Sequence, residues 1–117
     1  MHIHPHLSIM IDGQAQVIPA NVGIDSFCMR PVHTHDDSGT IHLEFPQARN
    51  VMLGDFFTIW GKRFDRNCVL DSCIGSPKPG EGGRRTLKLR VNGKDNTEFE
   101  RYLMHDKDQI EIILDSK

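Results

Sequence analysis

Leu7, Ile9 and Ile11 alternate with His6, Ser8 and Met10, and a period of two is the pattern of a strand with one buried face. Asp12-Gly13 marks a hairpin turn after it, and "AQVIPA" is the returning strand, with Pro19 putting its far end at a sheet edge or beyond the sheet. A strict two-residue turn sets Ile11 opposite Gln14. A slipped or bulged register is expected instead, because it brings Ala15 and Val17 onto the apolar face. Ile41, Leu43 and Phe45 alternate with Thr40, His42 and Glu44 as a third strand. Met52, Phe56, Ile59 and Trp60 then fall at helical spacing, predicting a short amphipathic helix that ends near Gly61. Phe56, Phe57 and Trp60 are read as core, with an exposed Phe57 in contact with a second subunit as the alternative. Residues 75–83, "GSPKPGEGG", read as a flexible loop, and "RTLKLRVNGK" and "QIEIILDS" as the last two strands, with Asn92-Gly93 as a turn. Hairpin, histidine-bearing insertion around residues 24–39, strand, helix and two strands together predict an α+β fold.

The segment "VNGKDNTEFERYLMHDKDQIEIIL" resembles the end of ubiquitin-like β-grasp domains, in its NG turn and its D-x-D-x-I-x-I approach to a strand. The order of elements resembles that fold too, which implies a β-grasp-like mixed sheet with one short helix packed on one face. The chain ends "LDSK" and not with the Gly-Gly tail of the small sulfur-carrier members, so a carrier role is not expected.

A length of 117 residues is the size of one core, so residues 1–117 are read as a single domain. A net charge of −2 lacks the basic excess that a phosphate backbone demands, which excludes nucleic acid as the expected partner. The longest apolar runs fall far short of the roughly 18 to 20 residues of a membrane span. Membrane attachment is expected only through an N-terminal anchor: with histidines starting at residue 2, Met1 is expected to replace a removed signal peptide or anchor. Cys28, Cys68 and Cys73 form no CxxC zinc motif. Cys68 and Cys73 are spaced for a short loop disulfide in an oxidising compartment, in keeping with an exported protein.

Six of the seven histidines precede residue 43, which turns attention to the N-terminal half. His2, His4 and His6 share one face of an extended chain, opposite Leu7, Ile9 and Ile11; His33 and His35 repeat the spacing, and His42 lies opposite Ile41 and Leu43. Imidazoles converging on one point ligate zinc, copper, nickel or iron. The expected ligands are His4, His6, His33, His35 and His42, with His2 peripheral and with Asp36 and Glu44 orienting imidazoles from behind. Two plainer readings stand beside this one: "MHIHPH" as a solvated tail or tag, and "HTHDD" as a polar loop turned by Asp36 or Asp37 with Gly39.

Three known motifs containing HxH do not fit. Ser38 stands where the metallo-β-lactamase pattern needs its last histidine, Glu44 lies too far beyond His35 for a cupin, and "HIHP" lacks the upstream glutamate of the JAMM deubiquitinase motif. "HIHPHLSIMIDGQAQVIPANVGI", "HTHDDSGTIHLEF" and "LGDFFTIWG", in that order, resemble a group of small microbial proteins that share HxHxHL…IPAxIGI, HTHDxSGxIHxE and LGxFFxIWG segments. The resemblance implies native histidines and frequent N-terminal export signals or anchors, and it carries no activity with it.

A set of imidazoles with no committed thiolate favours copper or zinc, with copper the stronger competitor at equal ligands. The order of Cys28, Met29 and the histidines does not suit a blue-copper site. The expected function is metal sensing, storage or delivery, outside the cytoplasm. A small metal-dependent hydrolase or oxidoreductase working through metal-bound water is the alternative, with Asp36, Asp37 or Glu44 as base. A non-catalytic interaction module is a third.

Overall fold

The computed structural model describes residues 1–25, 29–75 and 84–116, so Cys28 and most of the 75–83 loop lie outside the described residues. The chain begins with two separate strands, β1 (His2–Ile3) and β2 (His6–Ile11), which part at His4-Pro5. Pro5 has no N–H to give a ladder, and this is where one run of histidines is divided. The chain continues through β3 (Gln14–Gln16), β4 (Val32–His33), β5 (His42–Glu44), helix α1 (Leu53–Trp60), β6 (Cys68–Val69) and β7 (Ser72–Cys73). After these come β8 (Arg85–Val91), β9 (Lys94–Asn96), a 3-10 turn at Phe99–Arg101 and β10 (Gln109–Ser116).

Five strands form a mixed sheet in the order β3-β2-β10-β8-β9, with β2 and β10 parallel and the other neighbours antiparallel. The fold is α+β, as the pattern predicts. Alternation sets which face is buried: Leu7 and Ile9 on β2, Leu87 and Leu89 on β8, and Ile110, Ile112 and Leu114 on β10 join one core, while Ser8, Met10 and Lys88 face solvent. Leu53, Phe56 and Phe57 of α1 belong to the same core. The helix starts where Asp55 accepts the Met52 N–H (2.8 Å) and stops at Gly61, whose φ of 78° and N–H bond to the Phe57 carbonyl (2.9 Å) make a left-handed cap.

Several expectations are corrected. The β2–β3 register is the strict one, with Ile11 opposite Gln14 and Met10 opposite Ala15. Asp12 and Gly13 both take positive φ, 50° and 80°, the conformation of a two-residue hairpin turn that leaves no room for a slip. Ala15 therefore lies on the solvent face, and Val17 is 71% exposed. Phe57, read as core, is 1% exposed and packs on Phe64 and Trp60, so only the alternative of a contact with a second subunit is overturned. The strand carrying His42 does not join the large sheet; it is the middle of a small three-stranded sheet ordered β1-β5-β4. Asn92-Gly93 closes a hairpin onto an additional short strand, β9. Cys68 and Cys73 are joined in a disulfide across the β6–β7 hairpin.

A buried carboxylate ties the C-terminal half together. Asp108, 5% exposed, accepts hydrogen bonds from the Tyr102 hydroxyl (2.5 Å), the Asn92 amide (3.0 Å) and the His105 backbone N–H (2.9 Å). His105 is a turn residue, as its sequence context indicates. Burial, then the hydrogen bond to Asp108 and that carboxylate's charge, hold the Tyr102 hydroxyl protonated far above the usual phenol range. Tyr102 is the chain's single tyrosine, so the absorbance change on phenol ionisation reads it alone. The unfolded phenol releases its proton near about pH 10 while the folded one keeps it, so stability is full below that pH and declines as pH rises above it. Phenolate is expected to form only as the chain unfolds; its formation near pH 10 in folded protein would show the bond to Asp108 to be absent.

Candidate metal centre

The centre is built from the small sheet. Antiparallel pairing sets His33 directly opposite His42, and His2 directly opposite Glu44. Alternation turns Val32, Ile41 and Leu43 inward and brings these four side chains to the other face. The pairing thus gathers two histidine-bearing stretches that lie thirty residues apart in the chain.

His33 is the fixed point. It is fully buried, and its Nδ1 lies 2.6 Å from the Arg30 carbonyl oxygen, which can only accept, so Nδ1–H donates. In the neutral ring Nε2 then carries the free lone pair. That Nε2 lies 3.2 Å from His35 Nε2 and 3.5 Å from Glu44 Oε1. His42 stacks parallel to His33 at 5.5 Å between ring centroids and meets His35 edge-on at 4.5 Å, with its Nδ1 4.0 Å from Glu44 Oε1. One ligand atom from each of His33, His35, His42 and Glu44 falls within 4.8 Å of all the others.

His2, His4 and His42 make a second convergent group, held to the same 4.8 Å limit. His4 lies 4.5 Å from His2 and 4.7 Å from His42 between ring centroids. Glu44 Oε1 also touches His2 Nε2, at 3.1 Å. The two groups are therefore contiguous, sharing His42 and flanking one carboxylate oxygen.

The electrostatics suit ligation. Burial, and after it the neighbouring His35, His4 and His33 charges, push the His42 pKa down against the opposing pull of Glu44. This favours the neutral ring, which is the ligating form. Burial raises the Glu44 carboxyl, but the His2 hydrogen bond and the His2, His33 and His42 charges outweigh it and hold the net value below the ordinary one. Glu44 is thus ionised at neutral pH.

His33, His35 and His42 come together as expected. His2, expected at the periphery, contacts Glu44 directly, and Glu44, expected in a supporting role, falls within the group that could hold a metal. His6 goes elsewhere. Beyond Pro5 it belongs to β2, and its Nε2–H donates to the Ser38 carbonyl (2.7 Å), closing a seam with the 36–40 turn. Asp36 also supports that turn, accepting from the Ser38 hydroxyl (2.6 Å) and N–H (3.0 Å). Those bonds, resisted by a smaller desolvation effect and helped slightly by His42 and His35, lower its pKa.

Two supports carried no signal in the sequence. Thr34, fully buried between the two histidines of "HTH", donates to the Pro19 carbonyl (2.8 Å) and accepts from the Val22 N–H (3.0 Å). Gly23 lies so close behind the histidines that a Cβ there would come 2.4 Å from the Val32 carbonyl oxygen and 3.2 Å from His33 Cβ, at a φ of 76°. Thr34→Val keeps the shape and removes the hydroxyl, leaving Val22 N–H and Pro19 C=O without that partner. Denaturant unfolding is expected to show a loss of about 2 kcal/mol. A loss below about 0.5 kcal/mol would mean that the hydroxyl does not hold the pair.

No family model, curated protein or solved structure matches the chain.

Proposed function

We propose that the protein is a metal-binding protein that holds one copper or zinc ion through His33, His35, His42 and Glu44, for metal sensing, storage or delivery. The observation that carries this is the state of His33: fully buried, with Nδ1–H committed to the Arg30 carbonyl and Nε2 turned toward two further ligand atoms. A metal-binding histidine is commonly oriented in this way, its second nitrogen bonded to a carbonyl. The separations of 3.2 and 3.5 Å are also close to the edge of about 3.3 Å that a tetrahedron of metal–nitrogen bonds implies. Three imidazoles with one carboxylate suit Zn(II) and Cu(II), and copper wins at equal availability.

The sheet order, with its first and last long strands parallel at the centre and α1 between the two hairpins, supports a β-grasp-like arrangement and, with it, the resemblance drawn from the C-terminal segment. The Cys68–Cys73 disulfide supports residence in an oxidising compartment, outside the cytoplasm. No helix among the described residues is long and apolar enough to cross a membrane. The small microbial group whose histidine segments the chain resembles is the proposed family.

The hydrolase or oxidoreductase reading draws on one contact, the 3.1 Å approach of Glu44 to His2. If Glu44 kept that partner, three imidazoles would leave a coordination position for water beside an ionised carboxylate. Four protein ligands favour the carrier.

The deciding experiment is metal analysis of protein purified without a nickel column, repeated on a His33→Ala, His35→Ala double variant. About one equivalent of copper or zinc in the wild type and almost none in the variant is the expected result. The same substoichiometric content in both would sink the reading.

A further inference from the structure

We propose that His2, His4 and His42 form an outer metal site that captures the ion from solution and passes it to the inner site through the shared His42. This deepens the reading above and rests on it.

The two groups differ in burial: the outer has no buried member, while the inner combines buried His33 with exposed His35. The His2 side chain is 61% exposed, that of His42 21%, and that of His33 is fully buried. An ion arriving from water fills the outer group without reaching a buried ligand, whereas the inner group, open at His35, is completed only at buried His33. His42 converges with both groups, so it stays bound while other ligands exchange. Glu44 behaves as a second pivot, because one oxygen, Oε1, lies 3.1 Å from His2 Nε2 and 3.5 Å from His33 Nε2.

The hand-over is pure ligand exchange. Bonds from the metal to His2 and His4 break as bonds to His33 and His35 form, and the Glu44 oxygen turns from His2 to the ion. No electron moves. His33 keeps its Nδ1 proton on the Arg30 carbonyl throughout. With His33 neutral, the 3.2 Å contact requires His35 Nε2–H to donate to His33 Nε2; for His35 to ligate through Nε2, that proton shifts to its own Nδ1. The total number of protons is unchanged. Successive exchange keeps the ion held by several histidines at every stage, whereas direct entry offers it one exposed histidine, His35, before buried His33.

The test is the rate at which wild-type protein and a His2→Ala, His4→Ala double variant take Cu(II) from nitrilotriacetate, followed by the change in Cu(II) absorbance. The variant is expected to reach the same one tight equivalent but about tenfold more slowly, because capture beside the inner site acts as a raised local concentration. Retention of that equivalent shows that the inner site is folded and intact. Equal loading rates would overturn the outer site while leaving the inner one standing. Loss of the tight equivalent in the variant would overturn the division into two sites, since His2 or His4 would then be an inner ligand. Failure of the wild type to bind Cu(II) tightly would remove the inner site and this proposal together. His4→Ala alone, which leaves the His2–Glu44 contact in place, is expected to slow loading as well.

Discussion

Saturating the wild-type chain with Zn(II) or Cu(II) is expected to stabilise it by about 4 kcal/mol when free metal stands about a thousandfold above Kd. For a domain of this size that corresponds to a rise in Tm of about 15 °C. The effect is large because the native state presents the proposed ligands already oriented: His33 is held by Arg30 and His42 by pairing with His33. The unfolded chain keeps some affinity, since His33 and His35 are near neighbours in sequence, and that trims the gain. His33→Ala is expected to abolish most of the shift, because losing the anchoring ligand exceeds the roughly 10- to 100-fold that a lost supporting partner typically costs in affinity. Thermal unfolding followed by circular dichroism, with metal and with chelator, checks this. Equal shifts in wild type and variant would place the binding elsewhere.

Phe56→Ala is expected to cost about 3 to 5 kcal/mol, a large share of the roughly 5 to 15 kcal/mol that holds a domain together. Phe56 is fully buried, and its ring meets Phe57 edge-on at 5.8 Å and Trp60 at the same distance. Truncation leaves a void beneath the helix that packs in one core with Val32, the neighbour of His33. The helix cannot sink to fill it, because Gly54 already lies so close to the 3-10 turn that an added Cβ would come 2.9 Å from the Glu100 carbonyl oxygen. Urea unfolding monitored by circular dichroism measures the loss. A cost under about 1 kcal/mol would mean that the core closes around the gap.

Much of the main sheet was legible, because Leu7, Ile9, Ile110 and Ile112 alternate without interruption and period alone decides which face is buried. The helix was legible from its spacing and from Gly61. The β2–β3 register was misread because the pattern of Ala15 and Val17 was weighed above the turn, whereas positive φ at both Asp12 and Gly13 fixes the pairing whatever those side chains prefer. Phe57 was legible as core, and its exposed alternative fails because a helix with neighbours on more than one side buries more than a single stripe.

The site divides the same way. His33, His35 and His42 were found from composition and spacing. His6 was grouped with His2 and His4 because spacing of two implies one continuous strand, and the break at Pro5 sends His6 into a different sheet. Pro5 is visible in the sequence, but which sheet each half joins is settled by partners far along the chain. Glu44 was read as a support because nothing local shows that His2 lies opposite it. Thr34 and Arg30 act through a hydroxyl and a backbone carbonyl, and no pattern of side chains announces either.

The central pairing of β2 with β10 has a consequence for the order of events during synthesis. The strand just after the first histidines has no central neighbour until Gln109–Ser116 has been made. His4 and His6 are likewise tied by their backbone N–H groups to Asp106 and Asp108, near the opposite end. Contacts of such long sequence separation form late and slowly. The segment carrying the first histidines is therefore displayed before residues 106–116 exist to align it, and under the proposed function metal would be taken up only once those residues have been made.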